Sequence, residues 1–118
     1  MEDRIRVLIA DDRRRSRDGL KALLVTCPRI EVVCEATNGE EAVQLVQQCH
    51  PDVVVMDVRM PVMDGTEAAR KIKSDFPGTR IVMLTMYALH RTDALAAGAD
   101  AFLVKGCAAE DLMQAITA

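Results

Sequence analysis

Hydrophobic and polar positions follow two periodicities that alternate along the chain. Short apolar runs rich in β-branched residues predict strands, and longer segments with apolar residues at i, i+3, i+4 and i+7 predict amphipathic helices. The five predicted strands cover residues 5–10, 30–36, 53–56, 81–84 and 101–104. The predicted helices cover 16–27, a segment capped by Thr37 or Asn38 that runs to Cys49, then 64–74, 90–97 and a last segment from about Ala108.

Strands that alternate with helices indicate a parallel sheet covered on both faces. The third strand, Val53–Met56, is apolar without interruption, which is typical of a central strand buried on both sides. The second strand alternates only in part, which favours an edge position. The predicted fold class is therefore α/β, a doubly wound five-stranded parallel sheet with five helices in a three-layer sandwich.

Composition narrows the protein class. A chain of 118 residues with 50% hydrophobic and 28% charged residues is globular and long enough for one domain. Aromatic residues make up only 3%, so the core has to be built from aliphatic side chains and methionine. The net charge of -3 argues against nucleic-acid binding by the chain as a whole.

The sequence also bears on localisation and domain organisation. No signal-peptide pattern is evident and no apolar stretch approaches the ~20 residues of a membrane span, so we expect a cytoplasmic protein without a membrane segment. The four cysteines are widely spaced without a CxxC pair, and we expect reduced, mostly buried thiols. The last helix stops at Ala118 near the end of its apolar face, so we expect residues 1–118 to be one domain of a longer protein.

Polar side chains follow or end four of the predicted strands. They are Asp11 and Asp12 after the first strand, Asp57 after the third, Thr85 at the end of the fourth and Lys105 after the fifth. Because parallel strands place their carboxyl ends at one edge of the sheet, we expect these side chains to lie together. A carboxylate after a buried apolar run is costly unless a cation or hydrogen bonds compensate it, which makes Asp57 the leading functional candidate.

The residue types form a set suited to phosphoryl transfer. Three carboxylates repel one another unless a cation joins them, and hard oxygen ligands select Mg²⁺, Mn²⁺ or Ca²⁺ over Zn²⁺. Lys105 adds a charge that pairs with a phosphoryl group, and Thr85 can donate a hydrogen bond to it. Asp57 is then the nucleophile that forms an aspartyl phosphate. Each residue alone also fits a helix cap, a strand end or an exposed charge, but their joint occurrence favours function.

The chain resembles the receiver domain of two-component response regulators over essentially its whole length. The string Asp-x-x-Met-Pro-x-Met-Asp-Gly at 57–65 carries most of the resemblance. Further matching segments lie at 7–12, 84–85, 97–102 and 104–105, and details at 38–42 and at the Lys105-Gly106 junction are similar to receivers of the NarL/FixJ type. The resemblance implies a flavodoxin-like, CheY-like sheet of order 2-1-3-4-5. It also implies a C-terminal LuxR-type helix-turn-helix output domain beyond this chain, and hence control of transcription.

The resemblance assigns roles to individual residues. Asp57 would be phosphorylated by a histidine kinase or phosphotransfer protein. Mg²⁺, with Mn²⁺ as an alternative, would be held by Asp12, Asp57 and the backbone carbonyl of Arg59, while Asp11 would act through a bound water. Thr85 would move toward the phosphoryl group and Lys105 would pair with it.

A switch residue and a signalling surface are implied as well. Phe102 occupies the position of the family's rotameric switch aromatic, and simple core packing is the alternative. Phosphorylation would change the surface of helix four, strand five and helix five and promote homodimerisation or control an output domain. The interval from Thr85 to Lys105 is slightly shorter than usual for the family, within 86–89, which places the departure in this signalling region.

Arginines 13, 14, 15 and 17 follow the acidic pair. They are either a solvated helix face or a docking surface at the mouth of the site for an acidic kinase or the phosphoryl group. The absence of interleaved aromatics argues against nucleic-acid binding by this patch. Arg59 puts a long cation over the site, where it would bind phosphate or hinder attacking water.

Three other function classes remain open on the residues alone. An aspartyl-nucleophile phosphatase usually has a second Asp two residues after the nucleophile, where this chain has Arg59, so we expect no turnover enzyme. A nucleotide- or flavin-binding module is disfavoured because the chain has neither GxGxxG nor GxxxxGK[ST]. A pseudo-receiver used only as an interaction scaffold is disfavoured by the intact acidic set, and a stand-alone receiver that acts only through protein interaction stays as an alternative.

Overall fold

The computed structural model describes residues 3–118 as a five-stranded sheet with helices on both faces. All strand pairs are parallel and the order is β2-β1-β3-β4-β5, as predicted. The strands are β1 (Ile5–Ala10), β2 (Ile30–Ala36), β3 (Val53–Met56), β4 (Arg80–Thr85) and β5 (Ala101–Val104). The helices are α1 (Arg14–Leu24), α2 (Gly39–Cys49), α3 (Gly65–Asp75), α4 (Arg91–Ala96) and α5 (Ala109–Thr117).

The core has two layers, one on each face of the sheet. On one face, Leu8, Met56 and Met83 pack with apolar residues of α2, α3 and α4. On the other face, Val7, Ile9, Val55 and Val82 pack with α1 and α5. Alternate residues of one strand therefore serve opposite layers, which explains why β1 and β3 carry apolar residues at nearly every position. The prediction of an aliphatic core is confirmed.

Local sequence sets the start of α2. The Asn38 side chain accepts a hydrogen bond from the backbone N–H of Glu41 at 2.8 Å, which makes Asn38 the N-cap. The Glu41 carboxylate reaches back and accepts from the backbone N–H of Thr37 at 2.9 Å. The reciprocal pairing satisfies two N–H groups that the helix start would leave free.

Two helices are shorter than their periodicity predicts. The helix predicted for 16–27 begins at Arg14 and ends at Leu24, because the chain then turns: the N–H of Cys27 donates to the Leu24 carbonyl and the Thr26 hydroxyl to the Leu23 carbonyl. The helix predicted for 90–97 is preceded by a 3₁₀ turn at Ala88–His90.

The prediction of mostly buried cysteines is wrong. All four thiols are free and half-buried, and Cys27, Cys34 and Cys107 lie at the margins of the core layers. Among residues 3–118, no helix is long and apolar enough to cross a membrane.

Candidate functional site

The carboxyl edge of the sheet brings Lys105 between two carboxylates. The Lys105 Nζ donates to Asp11 Oδ2 at 2.7 Å and to Asp57 Oδ2 at 2.9 Å. These three residues come from the ends of β1, β3 and β5, up to 94 positions apart in the chain. The sheet order places β1 and β3 side by side, which puts Asp11 next to Asp57.

Backbone pairing continues past the strand ends and holds the site residues in place. The N–H of Asp57 donates to the Ala10 carbonyl at 3.0 Å, and the N–H of Asp11 donates to the Ala36 carbonyl at 3.0 Å. The N–H of Lys105 donates to the Thr85 carbonyl at 2.7 Å. Three of the predicted site residues are thus fixed by the sheet and not by a mobile loop.

The second oxygen of each buried carboxylate accepts a hydrogen bond from a backbone N–H one or two residues further along the chain. Asp57 Oδ1 accepts from the N–H of Val58 at 2.7 Å, and Asp11 Oδ1 accepts from the N–H of Arg13 at 2.9 Å. Asp57 is 8% exposed and Asp11 is 5% exposed, whereas Asp12 is exposed. The cost of burying two charges is therefore offset by one shared cation and two backbone donors.

The acidic surroundings stabilise the charge of Lys105. Burial disfavours the ammonium form, but hydrogen bonds to Asp11 and Asp57 and the negative charge of both carboxylates outweigh burial and raise its pKa above the ordinary lysine value. The Ser16 hydroxyl lies 3.4 Å from Nζ. The lysine is therefore charged at neutral pH.

The three carboxylates fit a divalent cation. One oxygen from each of Asp11, Asp12 and Asp57 lies within 4.8 Å of the other two. An all-oxygen, all-carboxylate donor set suits Mg²⁺ or Mn²⁺ and not the softer transition metals. Two of these residues are already held by backbone hydrogen bonds, so the donors are in place before any ion arrives.

A cavity of about 310 Å³ opens above Asp57. Its walls bring together acidic, basic and polar side chains from three strand ends. They are Asp12, Arg13, Asp57, Arg59, Thr85, Met86 and Tyr87. The volume accommodates a small anion together with part of its donor, and Thr85 and Arg59 both face it.

The loop after Asp57 is held tightly against the site. The N–H of Gly65 donates to the Val58 carbonyl at 2.7 Å, and a Cβ at Gly65 would overlap the Asp57 carbonyl oxygen. Val62 has a φ of 68°, in the left-handed region that β-branched residues avoid, within a turn closed by a hydrogen bond from Met63 to Pro61. The glycine is thus required by close approach to the candidate nucleophile.

Most of the predicted site residues meet, and one lies apart. Asp11, Asp12, Asp57 and Lys105 form one cluster, while Thr85, which is 1% exposed, and Arg59 line the cavity beside it. Phe102 instead packs in the layer of α2, α3 and α4, with the Arg91 guanidinium 6.0 Å from its ring centre.

Sequence reasoning missed three contributors to the site. Arg13 donates its backbone N–H to Asp11, Ser16 approaches Lys105, and Gly65 admits the Asp57 backbone. The Asp-Gly pair at 64–65 signals a tight approach, whereas nothing in the local sequence singles out Ser16.

The arginine run divides into different environments. The Arg17 guanidinium donates to the Asp11 carbonyl at 2.9 Å and pairs with Glu35 at 3.3 Å. Arg14 forms a surface pair with Asp18, and Arg13 and Arg15 are exposed. Part of the run is therefore structural, and the exposed Arg13 lines the cavity above Asp57.

The chain matches a known protein family. The family model described as "Response regulator receiver domain" matches residues 7–117 of this chain. The chain belongs to the response regulator receiver family. The predicted family, fold and phosphoacceptor signalling role are in agreement with this match.

The relatives include several transcriptional regulators. The transcriptional regulatory protein YhcZ of Bacillus subtilis is 41% identical over 112 residues, which cover 93% of this chain and 52% of YhcZ. This chain thus spans about half the length of the curated relatives that it matches.

Solved receiver domains share the fold closely. The receiver domain of the response regulator NarL from Mycobacterium tuberculosis has a TM-score of 0.92 at 30% identity, covering 98% of this chain and 95% of that chain. The isolated receiver domain of RcsB from Salmonella enterica serovar Typhimurium, solved in the presence of the phosphomimetic BeF₃⁻, has a TM-score of 0.88 at 26% identity, covering 98% and 88%.

Proposed function

We propose that Asp57 accepts a phosphoryl group from a histidine kinase or phosphotransfer protein and that the resulting aspartyl phosphate is a signal. The observation that carries this proposal is the Lys105 ammonium held between Asp11 and Asp57 at one edge of the sheet. A structural ion pair needs one carboxylate for one lysine. Here two carboxylates share it and a third, Asp12, lies within 4.8 Å of both, which leaves excess negative charge that suits a divalent cation.

The nucleophile is pre-positioned for attack. An Asp57 carboxylate oxygen attacks the phosphorus, and the bond from phosphorus to the donor's imidazole nitrogen breaks. Lys105 and Thr85 bind phosphoryl oxygens as negative charge redistributes, in the roles assigned to them from the sequence. Preorganised donors of this kind are the main source of acceleration that phosphoryl transfer admits.

The metal belongs to the same proposal. Asp11, Asp12, Asp57 and the backbone carbonyl of Arg59 would hold Mg²⁺, or Mn²⁺ in its place. When bound, the cation neutralises charge on the transferring group. Asp12 is the exposed member of the acidic set, so its carboxylate can most readily replace a water molecule bound to an arriving ion.

Phosphorylation would bias a surface built from α4, β5 and α5. A phosphoryl group adds roughly -1.5 to -2 charges, which draws Thr85 and Lys105 toward Asp57. Large apolar side chains are exposed next to the moving Thr85. They are Met86 at 50%, Tyr87 at 48% and Leu89 at 76% exposure. Phe102, on β5, is the switch aromatic of the proposal.

The output would be homodimerisation or control of an attached domain. Because relatives twice as long are transcriptional regulators, we infer control of transcription through a C-terminal helix-turn-helix domain. This domain itself would contact neither nucleic acid nor membrane, and the setting would be the cytoplasm. The domain would catalyse only its own phosphorylation and dephosphorylation.

The test is phosphorylation of the purified chain with acetyl phosphate and Mg²⁺, followed by intact mass measurement. We expect the mass of one phosphoryl group on the wild type and on Asp75→Asn, an exposed carboxylate outside the site. Asp57→Asn should gain nothing, and chelation of the metal should remove the gain from the wild type. A gain that persists in Asp57→Asn would refute the assignment of the nucleophile, and sustained hydrolysis of excess acetyl phosphate would favour a phosphatase.

A further inference from the structure

A second cavity, of about 820 Å³, lies between α3 and the start of α4. Its walls come from the loop after β3, from the first two turns of α3 and from the segment around the 3₁₀ turn that leads into α4. Seven of the nine residues that line it are titratable. The volume is within the range of small-molecule binding sites, and the lining is unusually rich in charge.

The acidic side chains of this cavity are associated with helix N-termini. Asp64 is the N-cap of α3, and its carboxylate accepts a hydrogen bond from the backbone N–H of Glu67 at 2.9 Å. Glu67 lies in the first turn of α3, and Asp93 lies in the first turn of α4. The partial positive charge of a helix N-terminus stabilises acidic groups at these positions. The negative charge of the cavity is therefore partly offset within the chain.

The basic side chains of this cavity lack such compensation. In the part of the chain that the structure describes, Arg59, Arg70 and Lys71 form no ion pair. The Nε2 atom of His90 is buried without a hydrogen-bond partner. A buried polar atom without a partner costs free energy, which a ligand able to form the hydrogen bond would recover. The cavity thus combines unpaired positive charge with an unpartnered ring nitrogen.

The helix α3 fixes two of these cations at the edge of the cavity. Arg70 and Lys71 follow Glu67 by three and four positions, so all three side chains share one face of the helix. The opposite face is anchored in the core by Ala68, Ala69 and Ile72. The two positive charges are therefore presented by a packed element and not by a loose loop.

We propose that this cavity binds a small phosphate-bearing anion. Arginine and lysine recognise phosphate through charge-assisted hydrogen bonds, and phosphate oxygens accept from several donors at once. The cavity is larger than the one above Asp57 and has room for a phosphate together with an attached organic group. Its lining contains neither Asp57 nor the rest of the acidic cluster, so the proposal does not depend on the phosphoacceptor role.

The variants are chosen to separate this cavity from its neighbour. Arg59 lines both cavities, so its replacement would not distinguish them. Arg70 and Lys71 are exposed residues of α3, and glutamine in their place removes the charge while keeping a good helix former. Arg91 provides the matched control, because it is an exposed cation on α4 whose guanidinium lies 6.0 Å from the ring centre of Phe102.

The experiment titrates the isotope-labelled full chain with inorganic phosphate in the presence of chelator and follows the backbone amides by NMR. Sodium chloride at equal ionic strength is the comparison. We expect saturable shifts centred on Thr66, Arg70 and His90, with a dissociation constant on the order of 1 mM. Arg70→Gln/Lys71→Gln should weaken binding by roughly tenfold, since two charged contacts are lost. Arg91→Gln and Asp57→Asn should bind as the wild type does.

Three results would overturn the proposal. The first is a set of shifts that does not saturate or that sodium chloride reproduces. The second is loss of binding in Asp57→Asn, which would place the anion in the phosphoacceptor cavity, or equal weakening by Arg91→Gln. The third is binding of a polyglutamate peptide without binding of phosphate, which would assign the cavity to an acidic segment of a partner protein. Transfer of a phosphoryl group to Asp57 is not a readout, so this test and the phosphoacceptor test fail independently.

Discussion

Replacement of Asp12 by asparagine tests whether the acidic cluster destabilises the folded chain without a metal ion and stabilises it when Mg²⁺ is bound. Asp12 is exposed, and one of its carboxylate oxygens lies within 4.8 Å of oxygens from both Asp11 and Asp57. Lys105 bridges the other two carboxylates, so Asp12 is the member of the cluster that the lysine does not contact. Without a metal ion, we expect its charge to destabilise the folded chain.

The size of this effect follows from the geometry. Two unit charges about 4.8 Å apart interact by about 0.9 kcal/mol in water and about 3.5 kcal/mol at an effective dielectric constant of 20. Asp12 is repelled by the carboxylates of Asp11 and Asp57 and attracted by the nearby Lys105 ammonium. The attraction offsets roughly one of the two repulsions, so about one repulsion remains. Because Asp12 is exposed, the lower value applies, and Asp12→Asn should raise the free energy of unfolding by about 1 kcal/mol.

Urea unfolding followed by far-ultraviolet circular dichroism measures this change, since the chain has no tryptophan. With chelator present, the midpoint of Asp12→Asn should rise by roughly 0.5 M. With Mg²⁺ at about 100 times its dissociation constant, the wild type should gain about 2.7 kcal/mol and Asp12→Asn much less. Glu31→Gln, an exposed neutralisation on β2, should change neither value by more than about 0.5 kcal/mol. Lower stability of Asp12→Asn in chelator, or an undiminished gain from Mg²⁺, would refute the reasoning.

Three further substitutions test other parts of the site. Lys105→Met should lower the free energy of unfolding by roughly 2–4 kcal/mol in chelator, since Asp11 and Asp57 lose their shared cation. Because the pKa of Lys105 is raised in the folded chain, the stabilisation is complete below the unfolded lysine pKa of about 10.4 and is lost as the pH rises through the folded pKa. A difference in the free energy of unfolding between wild type and Lys105→Met that disappears by pH 8 would contradict this prediction. Gly65→Ala should lose roughly 1–3 kcal/mol in the same assay because its Cβ meets the Asp57 carbonyl, and wild-type stability would contradict the close approach. Arg59→Ala should shorten the lifetime of the phosphorylated chain, measured by loss of the phosphoryl mass, by roughly tenfold if one ~1.4 kcal/mol contact shields it from water; an unchanged lifetime would remove Arg59 from that role.

Much of the fold could be predicted because the relevant signals are local. The uninterrupted apolar run of β3 reports burial on both sheet faces, and the structure buries all four of its residues. The polar residues at the strand ends could be grouped because parallel strands share one carboxyl edge, a rule that holds whatever the details of packing. Element ends were less predictable, since the end of α1 depends on hydrogen bonds from Thr26 and Cys27.

The contacts within the site could not be predicted from local sequence signals. The sequence indicated that Lys105 and the carboxylates share an edge, whereas the structure decided that Nζ reaches both Asp11 and Asp57 and that Asp12 stays exposed. For Phe102, the position in the sequence predicts a part in the switch, which stays a prediction, and the structure adds that its ring packs within a core layer.

By itself, the sequence determined the order of the elements, the parallel sheet and the set of chemical groups at its carboxyl edge. Only the tertiary structure decided which groups touch, including the lysine between two carboxylates. The physical reason is that periodicity records which side of an element is buried. Contacts of a few ångströms between residues far apart in the chain depend instead on strand order, sheet twist and packing, which a linear pattern does not contain.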